Sequence, residues 1–188
     1  MSITAIYDAS VLYPAPLRDF LMWLALTDLF KARWTNQIHD EWIRSVLKKR
    51  PDLTLEQLHR TRNLMNANVR DCLVTGYESQ NIELELPDPD DIHVLAAAIH
   101  CQANFIITFN LKDFPKKVLA SYEVEAIHPD DFILNLLQLD SRQVCQAVQK
   151  HRQSLNKPQK TVEEYLDTLN QQGITKSVTA IRQLCDEI

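Results

Sequence analysis

Glycine is almost missing from this chain. Of 188 residues only Gly76 and Gly173 are glycine, where average usage would give roughly thirteen. Two isolated glycines cannot build a G-x-G-x-x-G dinucleotide turn or a G-x-x-x-x-G-K-[ST] phosphate loop, since both bring several backbones close to a pyrophosphate. A G-x-S-x-G nucleophile elbow is absent as well. No excess of positive charge exists either: the formal net charge is -5, which argues against a general polyanion-binding surface. It leaves room for a nucleic-acid enzyme whose acidic site is filled by divalent cations. The cysteines, Cys72, Cys101, Cys145 and Cys185, are far apart with no C-x-x-C pair, so neither a zinc signature nor a dense disulfide framework is expected. No stretch approaches the roughly 18 apolar residues of a spanning helix. The start, MSITAIYDASVLYP, lacks the basic and apolar regions of a signal peptide. These absences lead us to expect a soluble, reduced, cytoplasmic protein without a membrane association.

Alternating strands and helices account for what is there. Ile3 to Tyr7 is a short apolar run that ends at Asp8. After Pro14 and Pro16, LRDFLMWLALTDLF predicts a well-buried helix, and KARW a brief extended piece. Thr35 is placed to cap a helix over about Gln37 to Lys49, which Pro51 ends. Thr54 and Gln57 form a capping box for a further helix to about Asn68. Ile82, Leu84 and Leu86 alternate with acids at strand spacing. The segment PDPDD opens the apolar helix IHVLAAAIHCQA, FIITF reads as a central strand, and a short helix follows around Phe114 to Leu119. A strand at Val124 to Ile127 then leads into a helix capped by His128-Pro129-Asp130-Asp131 and running to about Leu139. The fold class is α/β, an α/β/α sandwich around a mostly parallel sheet over residues 1–138. Residues 139–188 contain no convincing strand and read as a helical extension. There, Thr161 and Glu164 form a second capping box, Asn156-Lys157-Pro158 separates two helices, and Gly173 sits where one would stop.

Function in an open parallel sheet collects at the carboxyl ends of the strands. Asp8 closes the first strand, Asp88, Asp90 and Asp91 precede a helix, and Asp113 lies five residues beyond Thr108. Glu41 sits about one turn into its helix, on the side shared with Ile38 and Trp42, where a carboxylate is costly to bury without a partner. Each acid also has an ordinary explanation. Asp91 and Asp130 suit helix N-termini, Asp113 suits a turn, and Glu41 can pair with Arg44 or Lys48 on its own helix. Asp8 has the weakest such explanation. Together, hard oxygen ligands delivered to one sheet edge suit Mg²⁺ or Mn²⁺.

YDASVL, the helical glutamate of HDEW, DPDDIHVLAAAI and ITFNLKDFP, in that order, resemble the PIN-domain nucleases, especially the branch containing VapC-type toxin ribonucleases. The resemblance covers about residues 1–138. It implies metal-dependent hydrolysis of RNA phosphodiester bonds, with the family's four acids falling on Asp8, Glu41, Asp91 and Asp113. These four are the candidate catalytic and metal-holding residues. Thr108, Asn110 and Ser10 are candidates for holding those carboxylates in place, and Asp88 is an additional nearby acid ranked below Asp91. The resemblance further implies an RNA substrate and a protein antitoxin as partners, and a homodimer stays open. The tail is similar to C-terminal extensions of some VapC-like proteins.

An RNA-cutting site also needs a cationic surface. Residues 36–70 carry seven basic and four acidic side chains, whereas residues 71–91 carry seven acids and no Lys or Arg. Arg44, Lys48 and Lys49 are therefore the candidate phosphate contacts, the ordinary alternative being a solvated helix face. His93 and His100 are seven residues apart, not at the i, i+4 spacing of a zinc pair, so packing or a satisfied hydrogen bond is expected. His39 stands near Glu41 in sequence and is a candidate helper. Trp23, Trp34 and Trp42 are expected in the core. Two other readings stay open: a catalytically idle PIN-like binding module, and a phosphoacceptor receiver domain, which would need paired acids after the first strand where Asp8 stands alone.

Overall fold

The computed structural model describes residues 3–79 and 84–188. Four strands, β1 (Ile3–Tyr7), β2 (Phe30–Arg33), β3 (Phe105–Ile107) and β4 (Glu125–Ile127), form one sheet in the order β2-β1-β3-β4, and every pairing is parallel. The two central strands are the most apolar. Ala5, Ile6, Tyr7, Ile106 and Ile107 are fully buried, as a parallel sheet covered on both faces requires. Chain order runs outward from β1 to β2, then crosses over to β3 on the other side. The crevice beyond the carboxyl ends of β1 and β3 is thus the switch point where such sheets bind ligands.

Helices fill the crossovers. After β1 come α1 (Ala9–Leu12) and α2 (Ala15–Ala25), and Asp28, at φ 58°, turns the chain into β2. That left-handed turn ends the helix sooner than the apolar run to Phe30 suggested. Thr35 caps α3 (Asn36–Lys49) by accepting from the Ile38 amide, and the Thr54–Gln57 box caps α4 (Leu55–Asn68). Then follow α5 (Ile92–His100) and α6 (Lys116–Leu119). Of the strand expected at Ile82, Leu84 and Leu86, Ile82 lies outside the described residues. Leu84 and Leu86 pack against the core but join no strand. Alternation reports one-sided burial, which a segment can achieve without a ladder partner. The core strand is also shorter than FIITF: it ends at Ile107, and Thr108, whose amide still donates to the Ile127 carbonyl at 3.1 Å, turns its hydroxyl to Asp8 at the sheet edge.

Helix α7 (Pro129–Ser154) breaks at Asp140, whose φ of -155° and ψ of 89° are not helical. Its carboxylate accepts from the backbone amide and side-chain amide of Gln143, both at 3.0 Å, and so restarts the helix. Beyond it, α8 (Val162–Asn170) and α9 (Thr175–Leu184) pack with α7 around Val144, Val148, Leu166, Leu169, Val178 and Ile181. This region docks on the rest of the molecule at two places. The buried His151 ring stacks on Phe20 and donates to or accepts from the Tyr165 hydroxyl at 3.0 Å. The buried Asp130 carboxylate accepts from the Lys176 and Ser177 amides and from the Ser177 hydroxyl, and so caps α9 from another helix. Cys145 and Cys185 form a disulfide, which corrects the expectation of a fully reduced chain. Forty residues separate them, and only the packing of α9 along α7 brings their Cα atoms to 5.3 Å. Cys72 and Cys101 are free. Among the described residues no helix is long and apolar enough to cross a membrane.

Candidate active site

Asp8 follows β1 directly, and its amide donates to the Ile107 carbonyl at 3.1 Å, which ties it to the end of β3. Only 3% of it is exposed, so its carboxylate needs donors, and the fold supplies four. Oδ1 accepts from the Ala9 amide at 2.7 Å. Oδ2 accepts from the Ser10 hydroxyl at 2.6 Å, the Thr108 hydroxyl at 2.8 Å and the Ser10 amide at 3.3 Å. Ser10 and Thr108 are held in turn, because the Phe109 amide donates to the Ser10 hydroxyl and the Asn110 amide to Thr108. The two strand ends are thereby stitched around one carboxylate.

Asp91 ends a short 3-10 turn (Pro89–Asp91) at the mouth of α5. The ordinary capping role belongs instead to Asp88, whose carboxylate accepts from the Asp90 amide at 3.0 Å. Asp91 makes no capping bond. Burial first, and then the carboxylates of Asp8, Asp88, Asp113 and Glu41, together raise its carboxyl pKa from 3.8 to about 7. The other three candidate acids are therefore all close enough to act on Asp91. Asp113 does so from the end of the 3-10 turn Leu111–Asp113.

Glu41 reaches the same edge from α3. The ordinary alternative, a pair with Arg44 or Lys48 on its own helix, is not formed. Instead, Oε1 lies 2.6 Å from Nε2 of His93 on α5. An open cleft of about 550 Å³ is lined by Asp8, Ser10, Glu41, Lys48, Lys49, Asp91 and Asn110, among others. A second cleft, on the other flank of Glu41, contains Arg44 and His93. Among the described residues Arg44, Lys48 and Lys49 take part in no ion pair, unlike Arg50, which is bound to Asp52.

Several sequence expectations need correction here. The Asn110 side chain lines the cleft without bonding a carboxylate, and only its backbone amide supports Thr108. Asp88 is occupied by its own turn. His39 points away from the site: it is fully buried, accepts from the Trp42 indole at Nδ1 and donates from Nε2 to Asn66. An i, i+3 neighbour on the helix and a residue of α4 claimed it, which proximity to Glu41 in sequence could not reveal. His93, for which packing or a satisfied hydrogen bond was expected, stands beside Glu41. Trp34 and Trp42 are core residues as expected, whereas Trp23 is half-buried against His151.

The donor set consists of hard carboxylate oxygens whose mutual repulsion a divalent cation would relieve, which fits Mg²⁺ or Mn²⁺ in chemistry. As the side chains stand, no three His, Cys, Asp or Glu residues among those described close into a finished metal cage.

Residues 4–112 match the PIN domain family, and residues 129–183 match the VapC50 C-terminal domain. Forty-nine residues are 53% identical to a Mycobacterium tuberculosis protein named "Putative ribonuclease VapC50". That alignment covers 26% of this chain and 29% of the mycobacterial protein. No solved structure matches the chain significantly.

Proposed function

The chain belongs to the PIN-domain family and carries a C-terminal region of the VapC50 type, and from that premise we propose that it is a metal-dependent endoribonuclease, the toxin of a bacterial toxin–antitoxin pair. One observation carries the reading. Four carboxylates, two following the strand ends of β1 and β3, one at the mouth of α5 and one from α3, gather at the switch point of the sheet, where burial first and the neighbouring carboxylates second raise Asp91 to about pKa 7, beside Lys48 and Lys49, which have no acidic partner among the described residues.

In this reading Asp8, Glu41, Asp91 and Asp113 are the metal-holding and catalytic acids. A bound Mg²⁺ or Mn²⁺ supplies Lewis-acid polarisation of the scissile phosphate and a water of lowered pKa. Asp8 is fixed by Ser10 and Thr108, so it presents its oxygens without reorganising. Glu41 aims a second carboxylate at the same cleft and orients the attacking water. Lys48 and Lys49 line that cleft and meet the RNA backbone, with Arg44 extending the cationic track. The division at residue 138 assigns this chemistry to the first part and a partner or substrate surface to the helical tail. An antitoxin would cover the acidic cleft with a basic segment, and the complex would reside in the cytoplasm. A homodimer is compatible with this arrangement.

Sequencing the RNA ends made by the purified protein with Mn²⁺, beside Asp8→Asn, tests the proposal. Discrete cut sites are expected from the wild type and none from the variant. Equal cleavage by both would remove the site assignment.

A further inference from the structure

Among the described residues, Arg18 and His93 bury side-chain nitrogens that make no hydrogen bond. Arg18 is otherwise accounted for: Nη1 donates to the Leu12 carbonyl at 2.8 Å, and the guanidinium lies 4.5 Å over the Trp42 ring. His93 has no such compensation. Its side chain is 9% exposed, and neither ring nitrogen makes a hydrogen bond of good geometry, although Nε2 stands 2.6 Å from Glu41 Oε1. The contact is close but off the line of an N–H bond.

A bare imidazole nitrogen and a carboxylate oxygen are both acceptors, and two lone pairs facing each other at that separation repel. A proton therefore belongs between them. Placed on Nε2, it donates to Glu41 after a small rotation of either side chain. Nδ1 is then left as a buried acceptor.

Glu41 needs such a partner. It stands on α3 with its side chain 28% exposed, and its three rotatable bonds would otherwise let it turn toward solvent or toward Arg44 and Lys48. Asp91 and His93 lie two residues apart at the mouth of α5, and Glu41 and Asp91 line both clefts of the site. We propose that His93 is a positioning residue whose Nε2–H holds the Glu41 carboxylate toward Asp91. One helix mouth thus supplies both an acid of the site and the group that aims the acid of α3 at it. The inference deepens the nuclease reading and rests on it for the reaction that Glu41 serves.

A double-mutant cycle on the full chain decides it. Wild type, His93→Leu, His93→Gln, Glu41→Gln and the His93→Leu/Glu41→Gln pair are compared for Mn²⁺ affinity by titration calorimetry and for kcat and KM on RNA, with circular dichroism confirming the fold. His93→Leu is expected to weaken Mn²⁺ binding and lower kcat, each by about 10–100-fold, with KM for RNA changed by less than about twofold. His93→Gln, which keeps an N–H at similar reach, recovers most of both. In the Glu41→Gln background the leucine substitution has no further effect. If His93→Leu does not fold, His93→Asn replaces it, since its shorter amide withdraws the donor from Glu41. Unchanged Mn²⁺ affinity in a folded His93→Leu protein overturns the proposal, as does an equal loss with and without Glu41. Wild-type protein that binds Mn²⁺ but cuts no RNA refutes the nuclease reading, while the cycle in Mn²⁺ affinity still decides the role of His93. Wild-type protein that takes up no Mn²⁺ overturns both.

Discussion

Asp8 receives four hydrogen bonds, two of them from the hydroxyls of Ser10 and Thr108. Groups that orient metal-holding carboxylates typically matter by about 10–100-fold, so Thr108→Val should reduce single-turnover cleavage by about that factor. Its circular dichroism spectrum should be unchanged, and a variant with wild-type rates would show that Asp8 needs no such support. The buried histidines give a separate prediction about pH. Burial lowers His39 and His151 from 6.5 to about 4, so the unfolded chain binds more protons between those values. Stability is then full above about pH 6.5 and is lost as pH falls toward 4, by roughly 3 kcal/mol for each ring at full protonation. Urea unfolding at pH 7.5 and 4.5 measures the slope, and His151→Phe should flatten it. A slope identical to wild type would mean that His151 is not buried neutral. At this scale the sequence was informative about acids that end strands, because strand position alone sends Asp8 to the sheet edge. It was uninformative about partners on other helices. His39 belongs to Asn66 and Trp42, and His93 faces Glu41, pairings created only when α3 packs near α4 and α5.

The elements follow the same division. Capping boxes at Thr54–Gln57 and Thr161–Glu164 form as their spacing predicts, since each is closed within one turn of chain. The alternation at Leu84 and Leu86 misled, because a strand needs a neighbour that periodicity does not supply. The Cys145–Cys185 bridge was equally invisible, for it depends on how α9 lies along α7. Closing a 40-residue span stabilises the fold by roughly 4 kcal/mol in the chain-entropy account. Reduction should therefore lower the melting temperature clearly while leaving RNA cleavage intact, because the bridge is confined to the tail. Loss of cleavage on reduction, with the protein still folded, would place part of the active machinery there. Asp130 links the same region to the remainder through α9. Removing a buried carboxylate with three donors costs roughly 3 kcal/mol, so Asp130→Ala should shift the urea midpoint strongly without changing the cut sites.

For the whole molecule, a net charge of -5 coexists with a cleft lined by both acids and lysines. In the proposed reading such a surface meets RNA locally. Lys48→Gln with Lys49→Gln should raise KM several-fold, leave kcat nearly unchanged and reduce the salt dependence of binding. A large fall in kcat would instead place the lysines at the reacting phosphate. The carboxylates around Asp91 are proposed to form the site of metal-dependent RNA cleavage. The most direct test is cleavage of a defined RNA by wild type and Asp91→Asn across a Mn²⁺ titration, with EDTA as the final addition. Wild-type cleavage should rise with Mn²⁺ and stop with EDTA, and a folded Asp91→Asn protein should cut nothing at any Mn²⁺ concentration. Cleavage that survives EDTA, or an Asp91→Asn protein as active as wild type, would contradict the proposal.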